Sequence, residues 1–182
     1  MIDRVVALGG PPGSGKTTAA RRLAERLNLE LRSAGERFRA EAASRGLDLG
    51  EFSRYAELHP EVDRALDEGM VALARPGRLL EGRLTGALLR RRGVPVHWLA
   101  VVAPAEVRAG RIAQRDHLDV EEARRSMELR EESERRRYLR YYAVDLGAER
   151  PDFSVDSTNL APDGVVAALE GYLRGAGGSV GR

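Results

Sequence analysis

Val5-Val6-Ala7-Leu8-Gly9-Gly10-Pro11-Pro12-Gly13-Ser14-Gly15-Lys16-Thr17-Thr18 is the stretch whose reading decides the fold of this chain. Its first four residues are an unbroken apolar run, which predicts a strand buried on both faces. From Lys16 to Leu27 the apolar residues fall at 19, 20, 23, 24 and 27, the spacing of a helix. Between strand and helix, Gly10 to Thr17 matches G-x-x-x-x-G-K-[ST]. Each part of that pattern has a chemical purpose. Glycines let the backbone wrap closely and aim consecutive N–H groups at phosphate oxygens. The helix starting near Lys16 adds its positive dipole end. Lys16 supplies a point charge to the β and γ phosphates, and the Thr17 hydroxyl can ligate Mg²⁺. The bland reading is a glycine-rich turn between a strand and a helix; the full motif in the strand–loop–helix context that it requires favours the phosphate loop. A dinucleotide fingerprint starting at Gly13 would need glycine at position 18, which is Thr.

Working outward, strands and helices alternate. Leu29–Leu31 and Leu79–Leu80 read as short strands, the second closed by Glu81-Gly82. Pro95–Val102 is the strongest strand signal and Phe153–Asp156 the last. Residues 35–75 read as helical and polar, with breaks at Gly46, Gly50 and Pro60. Pro104 opens a helix in its first turn. Asp119 with Glu122 resembles a capping box starting a long helix to about Tyr142. Pro162 opens the final helix, and residues 175–182 are expected to be a disordered tail. The alternation predicts an α/β fold of the P-loop NTPase kind, with a parallel sheet of five strands flanked by helices on both faces.

Composition narrows the rest. The chain has 182 residues, 42% of them apolar and 32% charged. That length suits one domain burying roughly 70% of its unfolded surface. The formal charge of +2 argues neither for nucleic acid nor for a membrane surface. There is no cysteine, and the three histidines, His59, His97 and His117, are far apart, so a thiolate or histidine metal centre is not expected. No charged-then-apolar leader pattern opens the chain, and Val94–Ala105, the longest apolar stretch, is too short to cross a bilayer. A cytoplasmic location is expected. Lysine occurs once, at Lys16; every other cationic side chain of the Lys/Arg type is arginine.

Arg108, Arg111 and Arg115 stand at i, i+3 and i+7, and Arg130, Glu134 and Arg137 follow the same logic on the next helix. Only Asp116-His117-Leu118 separates the two helices, so a hairpin is expected whose basic faces close over an anionic ligand. Much of residues 119–141 must also be a solvated face of i,i+4 ion pairs. Ser33-Ala34-Gly35, with Arg39 a turn later, and Glu81-Gly82-Arg83 follow strands, where ligands bind in open α/β sheets. The bland readings are a helix cap for Ser33 and a surface ion pair for Glu81 and Arg83. Phe38, Phe52 and Tyr55 could flank a base or simply pack; Trp98 reads as core.

These residues together resemble the nucleoside monophosphate kinases, most closely the short archaeal-type cytidylate kinases. The likeness covers about residues 2–174. It rests on the phosphate loop with Ser33-Ala34-Gly35, Glu51-Phe52-Ser53-Arg54-Tyr55-Ala56, Pro60-Glu61-Val62-Asp63, Leu80-Glu81-Gly82-Arg83-Leu84, Arg130-Glu131-Glu132-Ser133-Glu134 and Asp156-Ser157-Thr158. The resemblance implies a single kinase domain over 1–174, with a helical segment at about 35–75 that binds the nucleoside monophosphate and a short lid hairpin at about 111–137. It implies ATP on Gly10, Pro11, Pro12, Gly13, Ser14, Gly15, Lys16, Thr17 and Thr18, with Arg111 and Arg115 as a lid pair, one near the adenine and one on the phosphates. It implies the acceptor on Ser33, Gly35, Arg39, Gly82, Arg83, Arg130 and Arg137, the last two bridging donor and acceptor. Mg²⁺ would meet Thr17 directly and Glu81 through water. Lys16, Arg83, Arg115 and Arg130 form the implied catalytic set. Many relatives carry Asp at the position of Glu81, and the inserted domain with which longer bacterial enzymes read cytosine is missing. Tyr55, Asp63 and Arg64 are therefore only candidates for reading the base.

The expected reaction is ATP + (d)CMP → ADP + (d)CDP, by a monomer without nucleic-acid or membrane partners. Rival readings are a kinase for AMP, UMP, shikimate or an antibiotic, and a regulatory nucleotide-binding module. A nucleic-acid binder is a third, opposed by only 5% aromatic residues that do not interleave with the arginines.

Overall fold

The computed structural model describes residues 2–177. Strand β1 (Val5–Gly9) is buried along its whole length. It lies at the centre of a five-stranded sheet with β2 (Glu30–Ser33), β3 (Arg78–Glu81), β4 (Val96–Val102) and β5 (Phe153–Asp156). The order is β2-β3-β1-β4-β5 and every pairing is parallel. A central parallel strand needs apolar side chains on both faces, which is why Val5 to Leu8 show no alternation. Val6 and Leu8 enter a core with Ala20 and Leu23 of α1 (Lys16–Leu27) and Val166 and Leu169 of α8 (Pro162–Gly177). Val5 and Ala7 face the other way, onto Leu84, Trp98 and Ala87 and Leu89 of α5 (Thr85–Arg91).

The polar segment folds as α2 (Ala34–Ser44), α3 (Leu49–Leu58) and α4 (Pro60–Val71) around a small core of its own, with Ala42, Phe52 and Val62 buried and Phe38 and Tyr55 against them. Phe52, considered above as a base-flanking ring, is fully buried packing. The break expected at Gly50 is absent: Asp48 and Glu51 form a reciprocal capping box that starts α3 one residue before Gly50. The carboxylate cap outweighs the helix cost of one glycine in the first turn. Pro60 occupies the first position of α4.

Helices α6 (Ala105–Asp116) and α7 (Val120–Tyr142) form the expected hairpin, held by Ala109, Ile112, Ala113, Ala123 and Met127. Asp119 caps α7 through Oδ1, which accepts from the Glu121 and Glu122 N–H groups. Helix α5, not anticipated from the sequence, has only seven residues, too few to show a helical period. One further expectation needs correction. The C-terminal tail was placed too early, since α8 continues through 175–177; residues 178–182 lie outside the described residues.

Candidate active site

The loop between β1 and α1 curls tightly because its glycines take positive φ: 141° at Gly10, 78° at Gly13 and 89° at Gly15. A Cβ on Gly10 would strike the Val101 carbonyl, and one on Gly13 would lie 2.7 Å from the carbonyl oxygen of Arg108. Gly15 precedes α1 with no side-chain cap, and no acidic residue sits in the first turn. The leading N–H groups and the positive helix end are thus left to an anion. Pro12 and Ser14 are buried, Thr17 is half-buried and Thr18 exposed. The Lys16 ammonium lies 3.4 Å from the Pro11 carbonyl oxygen, bent across the loop. Burial pushes its pKa below the ordinary lysine value; Glu81 and Glu134 oppose that push and Arg130 and Arg83 add to it. Those five side chains therefore share one electrostatic environment.

The carboxyl ends of β2 and β3 bring Ser33 and Glu81 together. They are register neighbours, and the buried Ser33 hydroxyl donates to Glu81 Oε2. The same Ser33 oxygen accepts from the Glu36 N–H at 3.2 Å and caps α2, so the helix cap and a site contact coexist in one residue. Gly35 and Arg39 follow on α2, with Arg39 Nη1 3.5 Å from where a Gly35 Cβ would stand. Gly82 hydrogen-bonds through its N–H to the Leu8 carbonyl at 3.1 Å, tying the β3 end to β1 beside the phosphate loop. Arg83 then reaches α7: its Nη1 donates to Glu134 Oε2 at 2.6 Å, and its Nη2 lies 3.7 Å from Glu131.

On α7, Arg130 Nε donates to Glu134 Oε1 at 2.8 Å. Glu134 is buried, which would raise its pKa, yet Arg130 and Arg83 hold it below the usual carboxylate range. Arg137 instead turns to α4, where its Nη1 meets both oxygens of buried Asp63 at 2.6 Å. Burial keeps the Asp63 pKa raised despite that guanidinium. The geometry puts Asp63 in an ion pair and Arg64 on the exposed side of α4. Tyr55 stacks on His59, ring centroids 4.0 Å apart.

The basic face expected on α6 divides three ways. Arg108 is buried and points inward, donating to the carbonyls of Ala103 at 3.0 Å and Pro12 at 3.1 Å and to Glu131 at 2.6 Å. It supports the phosphate loop from behind instead of facing a ligand. Arg111 donates to the Ser157 hydroxyl at 2.9 Å and its carbonyl at 2.7 Å. It borders a cleft of about 240 Å³ lined by Ser14, Gly15, Thr18, Val101, Arg111, Ser157, Leu160 and Pro162. Arg115 is not brought to the loop; its side chain is 67% exposed and forks onto Asp116.

Sequence reasoning missed the parts played by Arg108, Glu131 and Glu134. The Arg130–Glu134 spacing was visible as i,i+4. The bonds from Arg83 to Glu134 and from Arg108 to Pro12 join residues 51 and 96 apart, and local periodicity carries no trace of them.

Comparison with known proteins shows the family and the fold. The sequence model described as "AAA domain" matches residues 9–137. The cytidylate kinase of Archaeoglobus fulgidus is 40% identical over 167 residues, covering 90% of this chain and 91% of that protein. The cytidylate kinase of Methanopyrus kandleri is 46% identical over 181 residues, covering 94% of each. Among solved structures, an uncharacterized protein from Eubacterium ventriosum superposes with a TM-score of 0.64 at 18% identity, covering 93% of this chain and 98% of that one. The shikimate kinase of Bacteroides thetaiotaomicron gives 0.56 at 15% identity, covering 93% and 98%. These structural likenesses speak for the fold.

Proposed function

The chain belongs to the cytidylate kinase family, and from that premise we infer that it transfers the γ-phosphoryl group of ATP to CMP or dCMP. The observation that carries the reading is the meeting of an uncapped phosphate loop and Lys16 with Arg83 and Arg130, gathered around Glu134.

The loop N–H groups and Lys16 bind the donor's phosphates. The cleft beside Arg111 and Ser157 takes the adenine end. Ser33, Gly35 and Arg39 at the start of α2, with Arg83 at the end of β3, orient the acceptor phosphate. One of its oxygens forms the new bond to the γ-phosphorus as the bond to the leaving ADP oxygen breaks. That acceptor oxygen is already anionic, so the chain needs no general base. Its work is positioning and neutralising charge on the transferring group. The hard oxygens of Thr17, in the first turn of α1, and Glu81, at the end of β3, suit Mg²⁺, which when bound would neutralise and orient the donor phosphates. Residues 35–75 serve as the acceptor segment and 111–137 as the lid, whose closure would carry Arg115 inward from Asp116 and exclude water.

The test is ADP release from ATP and Mg²⁺ with each nucleoside monophosphate in turn. Turnover with CMP and dCMP, well above AMP, GMP and UMP, is expected. A clear preference for another acceptor, or none at all, refutes the reading.

A further inference from the structure

We propose that Glu134 is a positioning residue, whose buried carboxylate holds Arg83 and Arg130 side by side at the phosphate site before any substrate arrives. The inference rests on the kinase reading above and deepens it by naming how its arginines are kept in place.

Three cations, Lys16, Arg83 and Arg130, lie near enough for the two arginines to disfavour the charge on Lys16. Left alone, like charges of this kind spread apart. Glu134 sits between the two arginines with one oxygen for each: Oε2 accepts from Arg83 at 2.6 Å and Oε1 from Arg130 at 2.8 Å. The carboxylate comes from within α7, one turn beyond Arg130, and is almost wholly removed from solvent. It therefore fixes a residue from the end of β3 and a residue of the hairpin to one point.

What the bond leaves over matters as much as what it uses. Arg130 engages Glu134 only through Nε, and its two Nη groups make no hydrogen bond to any described residue. The side chain is half-exposed. The carboxylate thus grips the inner edge of the guanidinium and leaves the outer fork, which matches two phosphate oxygens, facing solvent. Glu134 need not leave when a phosphate arrives; it sets the direction from which the fork meets it. Glutamine keeps the shape but turns one accepting oxygen into an N–H₂ group aimed at a guanidinium, so one of the two arginines loses its hold.

A double-mutant cycle separates positioning from plain structural support. The acceptor is the monophosphate that the wild type turns over fastest. Glu134→Gln is expected to lower kcat by about 30-fold or more, with the KM for ATP within about twofold of wild type, since the loop itself is untouched. In an Arg83→Ala background the same substitution should cost less than about fivefold, because half of what Glu134 holds is already gone. Glu134→Asp keeps the charge one methylene short and should fall between wild type and glutamine; it carries the same cycle if the glutamine variant does not fold. An equal fold-loss with and without Arg83, or a kcat loss below about threefold in the wild-type background, overturns the proposal and leaves the kinase reading standing. A wild type that turns over no acceptor overturns both.

Discussion

Asp67 offers a sharp test of how α4 is joined to α7. It lies on α4 and accepts a 2.7 Å hydrogen bond from the Tyr142 hydroxyl at the far end of α7. Burial raises its pKa from 3.8 to about 6; the Tyr142 bond and Arg137 pull down, and Asp63 and Glu68 push up. The folded protein thus holds this proton more tightly than the unfolded chain does. Between about pH 4 and pH 6 the unfolded state has released a proton that the native state keeps, so stability falls as pH rises through that window. Above about pH 6 the native state carries the full cost of a buried, imperfectly compensated charge. A shift of about two units corresponds to about 3 kcal/mol; the group is partly exposed, so about 2 kcal/mol is the better expectation. Asp67→Asn removes the charge and keeps an oxygen for Tyr142. Urea denaturation of both proteins from pH 4 to pH 8 should show the variant's advantage near zero at pH 4, growing to a plateau of about 2 kcal/mol above pH 7. A gain that ignores pH would show that Asp67 is not the titrating group. A variant less stable than wild type at pH 7.5 would show that the Asp67 charge is used by Arg137, refuting the reasoning.

Two other perturbations have expected outcomes. Lys16→Ala should lower kcat by roughly 10²–10³, the scale for losing one preorganised charge at the transferring group, and steady-state ADP release checks it. Gly86 lies against β4 so closely that a Cβ would enter the Trp98 indole ring. Gly86→Ala should therefore destabilise by about 1–3 kcal/mol, the cost of overpacking a core, read from thermal unfolding followed by Trp98 fluorescence; an unchanged midpoint would mean that α5 shifts freely on the sheet.

Much of the frame is legible without coordinates, for reasons that lie in particular residues. Val5 to Leu8 announce a strand covered on both faces because a central parallel strand cannot tolerate a polar side. Gly10 to Thr17 announce a phosphate loop because few other sequences combine the backbone freedom, the cation and the hydroxyl. Gly50 was misread because a glycine counts as a break only where nothing caps the helix, and the Asp48–Glu51 exchange does so. Arg108 was misread because helical spacing tells which residues share a face but not which way that face turns. Its guanidinium went to the back of the loop, where the Pro12 and Ala103 carbonyls and Glu131 accept from it.

By itself the sequence determined the kind of sheet, the location of the polyphosphate cradle and the identity of its single ammonium group, since each depends on neighbours within one or two turns of chain. Which arginines remain open to a ligand was decided only in three dimensions. Arg137 is closed by Asp63 and Arg108 by the loop it supports, while Arg130 keeps its outer fork free on Glu134. A guanidinium in a poorly solvated place takes whichever oxygen the fold brings within reach, and those oxygens can belong to residues up to 96 positions away.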